Sequence, residues 1–297
     1  MRYFDLHCDT LFKAVNDKRG INSPSYEVTL DKGRVFDEWT QCMAIWIPDE
    51  LDCASQMELF CNGAKYLKDE CAKLNISDKN SDNNVRFLFT VENGSFLNND
   101  IRNIELLKKH GVRMLTLTWN AENCIGGGAD AQGVGLSLFG AECIKTLEEN
   151  SIVVDVSHAS DKLFFDVAER ATKPFVASHS NSRSICPHRR NLTNEQFEII
   201  KNKGGIVGLN FHRDFLSTYP EKASITDVIK HAEYFLSLGG ENVLSIGSDF
   251  DGSNPPQSLK GIEKIPVLYE ELLKIGYTEQ LVQKIMYYNA HNFFSRF

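Results

Sequence analysis

An excess of positive charge is missing from this sequence. Its 297 residues hold 32 Lys and Arg against 40 Asp and Glu, a formal net charge of −8. With no basic patch to meet phosphates, nucleic acid and anionic membranes are poor partners. No apolar run approaches the roughly 18 residues that cross a bilayer, and charged residues interrupt the N-terminal stretch. Neither a spanning helix nor a signal peptide is expected. Cys-x-x-Cys pairs are lacking too. The eight cysteines (Cys8, Cys42, Cys53, Cys61, Cys71, Cys124, Cys143, Cys186) include several among apolar residues in a helical pattern. They read as reduced thiols of a cytoplasmic protein rather than a disulfide framework. No Gly-x-Gly-x-x-Gly follows the first apolar run, and no Lys-Ser or Lys-Thr follows Gly126-Gly127-Gly128, which argues against nucleotide-phosphate cradles. Internal repeats and low-complexity segments are absent, so one domain over 1–297 is expected.

What is present is an ordinary globular balance of 42% hydrophobic and 24% charged residues, enough for a large core. Eight short runs rich in β-branched and aromatic residues alternate with longer helical patterns. They fall at 2–8, 40–47, 86–91, 112–118, 152–157, 174–179, 205–210 and 243–248. Between them, 52–75 carries Ala54, Met57, Phe60, Ala64, Leu67, Cys71 and Leu74 on one helix face. Further helices are predicted over 137–149, over 160–171 with Ser160 as N-cap, from a capping box at Thr193 to about Lys203, and over 224–238. Helices at 266–275 and 278–295 finish the chain. Residues 16–38 and 75–85 read as loops. Eight strands alternating with helices predict an α/β fold, a (βα)8 TIM-like barrel with C-terminal helices.

Barrels of this kind carry their chemistry at the C-terminal strand ends. Strand one ends His7-Cys8-Asp9. Alternation places His7 and Asp9 on one side, Leu6 and Cys8 on the other. Strand three ends at Glu92, strand five at His158, strand six at His179 and strand eight at Asp249. Ionisable groups gathered near a core are costly unless a metal or a partner compensates them. Nitrogen and oxygen ligands without thiolate suit zinc, ahead of manganese, iron or cobalt. Six candidate ligands exceed the need of one catalytic ion and favour two metals sharing a bridging carboxylate, about 3.5–4 Å apart.

The segments Asp5-Leu6-His7-Cys8-Asp9-Thr10, Val91-Glu92-Asn93-Gly94, Gly111–Thr118, Val154–Ser160, Ala177-Ser178-His179-Ser180, Arg189–Thr193 and Ile246–Gly252 occur in the order of, and resemble, the motifs of the membrane (renal) dipeptidase family of zinc peptidases. The resemblance covers nearly the whole chain. It implies a distorted barrel of the amidohydrolase type with two zinc ions. His7 and Asp9 would bind one ion, Glu92 would bridge, and His158 and His179 would bind the other. Asp249 would sit beside the first ion and move a proton, while a metal-bridged hydroxide attacks the peptide bond. Arg190 would take the C-terminal carboxylate of a dipeptide, including one with a D-residue on that side. Two departures stand out. The family's mammalian members have a His after Leu-Thr-Leu-Thr, where it contacts the scissile group. Here that place holds Trp119, followed by Asn120, so these two become the substrate-contact candidates. The membrane-bound relatives also carry a signal peptide and a lipid-anchor signal, neither of which is seen here, so no membrane partner is expected.

Two rival readings remain. One is another binuclear metallohydrolase (amidase, deacetylase or phosphoesterase) on the same barrel. The other is a non-catalytic peptide-binding relative, kept open by Trp119. Of the other histidines, His110 suits a helix C-terminus, His231 and His291 read as surface or packing residues, His212 is a weaker substrate contact, and His188 is unassigned. Gly126-Gly127-Gly128 reads as a mobile loop over the rim. Any of the amphipathic helices around the barrel could also carry a homodimer interface.

Overall fold

In the computed structural model, which describes residues 1–76 and 84–297, seven parallel strands lie side by side. They are β1 (Arg2–Cys8), β2 (Glu38–Trp46), β3 (Val85–Glu92), β4 (Met114–Thr116), β5 (Val153–Asp155), β6 (Val207–Leu209) and β7 (Leu244–Ile246). Their order is β5-β4-β3-β2-β1-β7-β6. The run at 174–179, expected as a strand, is not a regular one. Only single parallel bridges form there, Val176 with Asp155 and Ala177 with Val207. Those bridges join β5 to β6, so the sheet closes into a distorted eight-position barrel.

Helices cover the outside: α1 (Thr10–Asp17), α2 (Leu30–Gly33), α3 (Cys53–Leu74), α4 (Asn103–Lys109), α5 (Leu138–Glu149), α6 (Asp161–Arg170), α7 (Asn194–Asn202), α8 (Arg213–Leu216), α9 (Ile225–Ser237) and α10 (Ile265–Lys274). Their starts are set by the residues the sequence offers. Ser160 accepts from the Leu163 amide, and Thr193 with Gln196 completes a capping box. The helix expected over 278–295 is three pieces, α11 (Glu279–Gln283), a π-helical turn (Lys284–Tyr288) and α12 (Asn289–Phe294). The expected loop over 75–85 falls mostly outside the described residues. The one over 16–38 includes the end of α1, all of α2 and the first residue of β2. Among the described residues no helix is long and apolar enough to cross a membrane.

Among the described residues two apolar clusters form. The larger fills the layer between strands and helices. The smaller takes residues from seven of the eight ring positions, all but β7 (Phe4 and Leu6, Cys42, Leu88, Met114, Val153, Val176, Ile206), and packs them against Phe293 and Phe294 of α12. Leu6 and Cys8 therefore belong to different clusters, contrary to simple alternation. The pairing of β1 with β2 shifts between Asp5 and Cys8, and such an irregularity re-aims the side chains beyond it. Cys8 still points away from the rim, its thiol directed at the Cys42 carbonyl.

Candidate metal centre

Glu92 is the last residue of β3, and its two oxygens face different neighbours. Oε2 lies 3.7 Å from His7 Nε2, while Oε1 lies 2.8 Å from His158 Nε2 and 3.6 Å from His179 Nε2. On the first side His7 Nε2 also stands 3.3 Å from Asp9 Oδ2 and 3.9 Å from Asp249 Oδ1. On the second, the Nε2 atoms of His158 and His179 are 2.9 Å apart. Ligand atoms of His7, Asp9 and Asp249, and of His7, Glu92 and His179, each fall within 4.8 Å of one another. All six residues picked out from the strand ends thus meet in one place. Two of them are aimed by left-handed backbone just past the strands, with φ of 66° at His158 and 63° at Asp249. Non-glycine residues rarely hold that conformation, and they do so where surrounding structure over-determines it.

The electrostatics of this cluster are those of a cation site. Burial opposes a charge on His7, but the carboxylates of Glu92, Asp9 and Asp249 outweigh it and hold the imidazolium up to about 10. Burial pushes Glu92 well above the usual carboxylate range and Asp249 up to about 7, with Asp9 adding to both and His7 opposing. Burial, with Arg190 and His7 nearby, keeps His158 and His179 neutral, their ligand form. His7 Nε2 and Asp9 Oδ1 are buried without a hydrogen-bond partner. Acceptors converging with so little proton donation fit a bound divalent metal.

A supporting layer went unnoticed in the sequence. Asp5 accepts from the amide and hydroxyl of Ser248, the residue before Asp249, and Asp155 accepts from the amide and hydroxyl of Ser178, the residue before His179. The two carboxylates also accept from amides two residues on, those of His7 and Ser157. One device therefore fixes both sides of the cluster. Since Ser178 donates to Asp155, its oxygen accepts from His179 Nδ1 at 2.8 Å, which leaves the Nε2 lone pair for the cluster. Asn120 does the same for His158 through Oδ1 at 2.9 Å from Nδ1. Asn210 donates to Asp249 Oδ2 at 3.0 Å. The signal for Asp5 and Asp155 was legible: a lone carboxylate inside an apolar strand run. Asn210, at the end of an expected strand, gave none.

A cavity of about 480 Å³ opens over the cluster. Phe12, Trp46 and Trp119 line it, as do Arg190, His212 and Phe215, together with Glu92, His158 and Asp249. Arg190 is buried, lies 5.3 Å over the Phe215 ring, and has two nitrogens, Nε and Nη2, with no partner. Burial lowers it only to about 10, so it stays charged. Its neighbour Arg189 is already paired with Asp130 at 2.7 Å. His188 accepts from the Arg190 amide, and both His188 and His212 pack on Phe215.

The glycine run is not a free loop. Its residues form bridges to Glu122, Leu136 and Ala159, and a Cβ on Gly128 would lie 2.0 Å from the Trp119 carbonyl. Of the two roles expected of His231, surface or packing, the structure shows packing. The residue is fully buried, accepts from the Ser182 amide and faces the Leu216 carbonyl. His110 caps α4 as expected, and His291 packs on Tyr287.

The chain as a whole has known relatives. An uncharacterized Klebsiella pneumoniae protein encoded in the pqqA 5′ region is 33% identical over 209 residues, 67% of this chain and 77% of that one. Among solved structures, a metallopeptidase of family M19 described as dipeptidase AC superposes with a TM-score of 0.92 at 24% identity, covering 100% of this chain and 98% of its own. A Rhodobacter sphaeroides metallopeptidase, bound to a phosphinate mimic of L-Ala-D-Ala, gives 0.91 at 23%, covering 100% and 99%. The family model described as membrane dipeptidase (peptidase family M19) matches residues 1–296, and with that span the chain belongs to the membrane dipeptidase family.

Proposed function

We propose that this protein is a metal-dependent dipeptidase holding two zinc ions, with Glu92 between them. His7 and Asp9 would hold one ion, with Asp249 beside it, and His158 and His179 the other. One observation carries the substrate reading: a buried guanidinium, Arg190, with two unpaired N–H groups in the wall of the cavity that contains Glu92 and Asp249. Such a group calls for an anion, and a planar fork fits a carboxylate. A cavity closed by that contact admits a substrate whose free carboxylate lies one residue beyond the scissile bond. The Rhodobacter relative's L-Ala-D-Ala mimic supports acceptance of L,D-dipeptides as well as L,L.

Bound metal supplies Lewis acidity and lowers the pKa of water from 15.7 to roughly 7. The chain's own groups do the rest. Arg190 orients the dipeptide by its carboxylate. Asp249, which accepts from Asn210, would take a proton from the attacking water and return it to the leaving amine. Asn120 and Ser178 fix the two imidazoles so that no reorganisation is needed during reaction.

The test is amine release from L,L- and L,D-dipeptides and from tripeptides by zinc-loaded protein, with a chelated control. Turnover of dipeptides alone, abolished by the chelator, is the expected result. Turnover of phosphoesters without dipeptides would favour the phosphoesterase, and dipeptide binding without turnover the non-catalytic binder.

A further inference from the structure

Trp119, the residue that follows Leu-Thr-Leu-Thr, stands in a continuous aromatic surface. Its ring centroid is 4.8 Å from that of Trp46, whose other neighbour, Phe12, lies 4.9 Å away at an interplanar angle of 72°. All three rings are half-buried and line the catalytic cavity. They come from separate ring positions: Phe12 from α1 after β1, Trp46 from the end of β2, and Trp119 from just past β4.

The direction of the substrate decides what this surface meets. Arg190 follows the 174–179 segment and stacks on Phe215, which lies just past β6. Counting round the closed ring, the 174–179 position is four places from β2, the far side of an eight-place barrel. A dipeptide anchored at Arg190 by its carboxylate, with its peptide bond over Glu92, extends its N-terminal residue toward Trp46. Among the described residues, no carboxylate lining the cavity is left free for a charged side chain: Asp130 is paired with Arg189, Asp251 with Lys13, and Asp9, Glu92 and Asp249 belong to the metal cluster.

We propose that Phe12, Trp46 and Trp119 form the subsite for the side chain of the N-terminal residue, and that the preferred substrates are dipeptides beginning with a large apolar or aromatic residue. This rests on the dipeptidase reading above. Apolar burial against three rings, with edge-to-face contacts for an aromatic side chain, is the source of the selectivity.

The experiment compares kcat/KM for Leu-Ala and Phe-Ala with Gly-Ala, and with the reversed Ala-Leu, in wild type, Trp119→Ala and Trp46→Ala. Wild type should favour Leu-Ala and Phe-Ala over Gly-Ala by about tenfold or more. Each variant should collapse that ratio toward unity, whatever happens to its absolute rate. A variant that lowers all substrates by one factor, or a wild type with no such preference, overturns the subsite. Tryptophan fluorescence of the chelated protein gives a second reading without turnover: Leu-Ala should perturb it at concentrations where Gly-Ala does not, and equal responses overturn the proposal. Failure of every dipeptide to react would instead overturn the dipeptidase reading, and the subsite with it.

Discussion

Arg190 and His231 are both buried, and burial serves opposite ends in them. Arg190 keeps its charge with two nitrogens unpartnered beside the cavity, an arrangement that costs free energy until an anion arrives. Arg190→Ala should lower kcat/KM for a dipeptide by at least about 30-fold. The same substitution should matter much less for a dipeptide amide, which has no carboxylate to lose. Equal losses for acid and amide would remove Arg190 from substrate binding. His231 instead gives up its charge. Its Nδ1 accepts from the Ser182 amide, so a proton there would face an N–H. Burial, aided by Lys230 and opposed by the Leu216 carbonyl and Asp227, lowers it to about 4. Because the unfolded chain takes up this proton first, the contribution is complete above about pH 6.5 and is lost as pH falls toward 4. The loss amounts to about 3 kcal/mol. Urea denaturation of wild type and His231→Gln between pH 7 and 4.5 should show the steeper decline in wild type; parallel curves would rule the residue out as its source.

At the scale of elements, the site depends on segments that are barely secondary structure. The 174–179 run makes only single bridges, yet it carries His179 and closes the ring. The glycine run between Trp119 and α5 is fixed by backbone contact rather than by side chains. Gly128 donates to the Ala121 carbonyl, and Asp130 donates to the Asn120 carbonyl. A methyl at Gly128 would collide with the Trp119 carbonyl backbone, which a flexible side chain's retreat cannot relieve. Gly128→Ala should therefore displace Trp119 and Asn120 together and destabilise the protein by about 1–3 kcal/mol. A variant with unchanged thermal stability and unchanged dipeptide kinetics would show the segment to be as free as its composition suggested.

For the whole molecule, the consequence is that the metal cluster joins elements far apart in sequence. Its candidate ligands come from β1 (His7) and the residue just past it (Asp9), from β3 (Glu92), from the 174–179 segment (His179), and from the turns after β5 (His158) and β7 (Asp249). The unfolded chain has no such site, so metal binding must stabilise the fold. With free zinc at 100 times its Kd the gain is about 2.7 kcal/mol per site. Chelation should lower Tm by several degrees in scanning calorimetry, and metal restored should recover it. An unchanged Tm would mean that the cluster does not hold metal in the folded protein.

The barrel, the positions of most helices and the six residues of the cluster were legible in the sequence. Hydrophobic periodicity is local, and barrel chemistry sits at strand ends, so a list of strand ends was already a list of candidate ligands. Helix starts were legible for the same reason, since Ser160 and Thr193 act on amides within one turn. The tertiary structure decided what depended on distant partners. Asp5 and Asp155 hold serines on neighbouring strands, and Asn210 reaches Asp249 across β6 and β7. Only closure of the sheet brings Trp46 and Arg190 into the lining of one cavity. The three-part end of the chain, the bridge-only sixth position and the packed glycine run were likewise settled by contacts between segments, because a local sequence pattern carries no information about what will press against it.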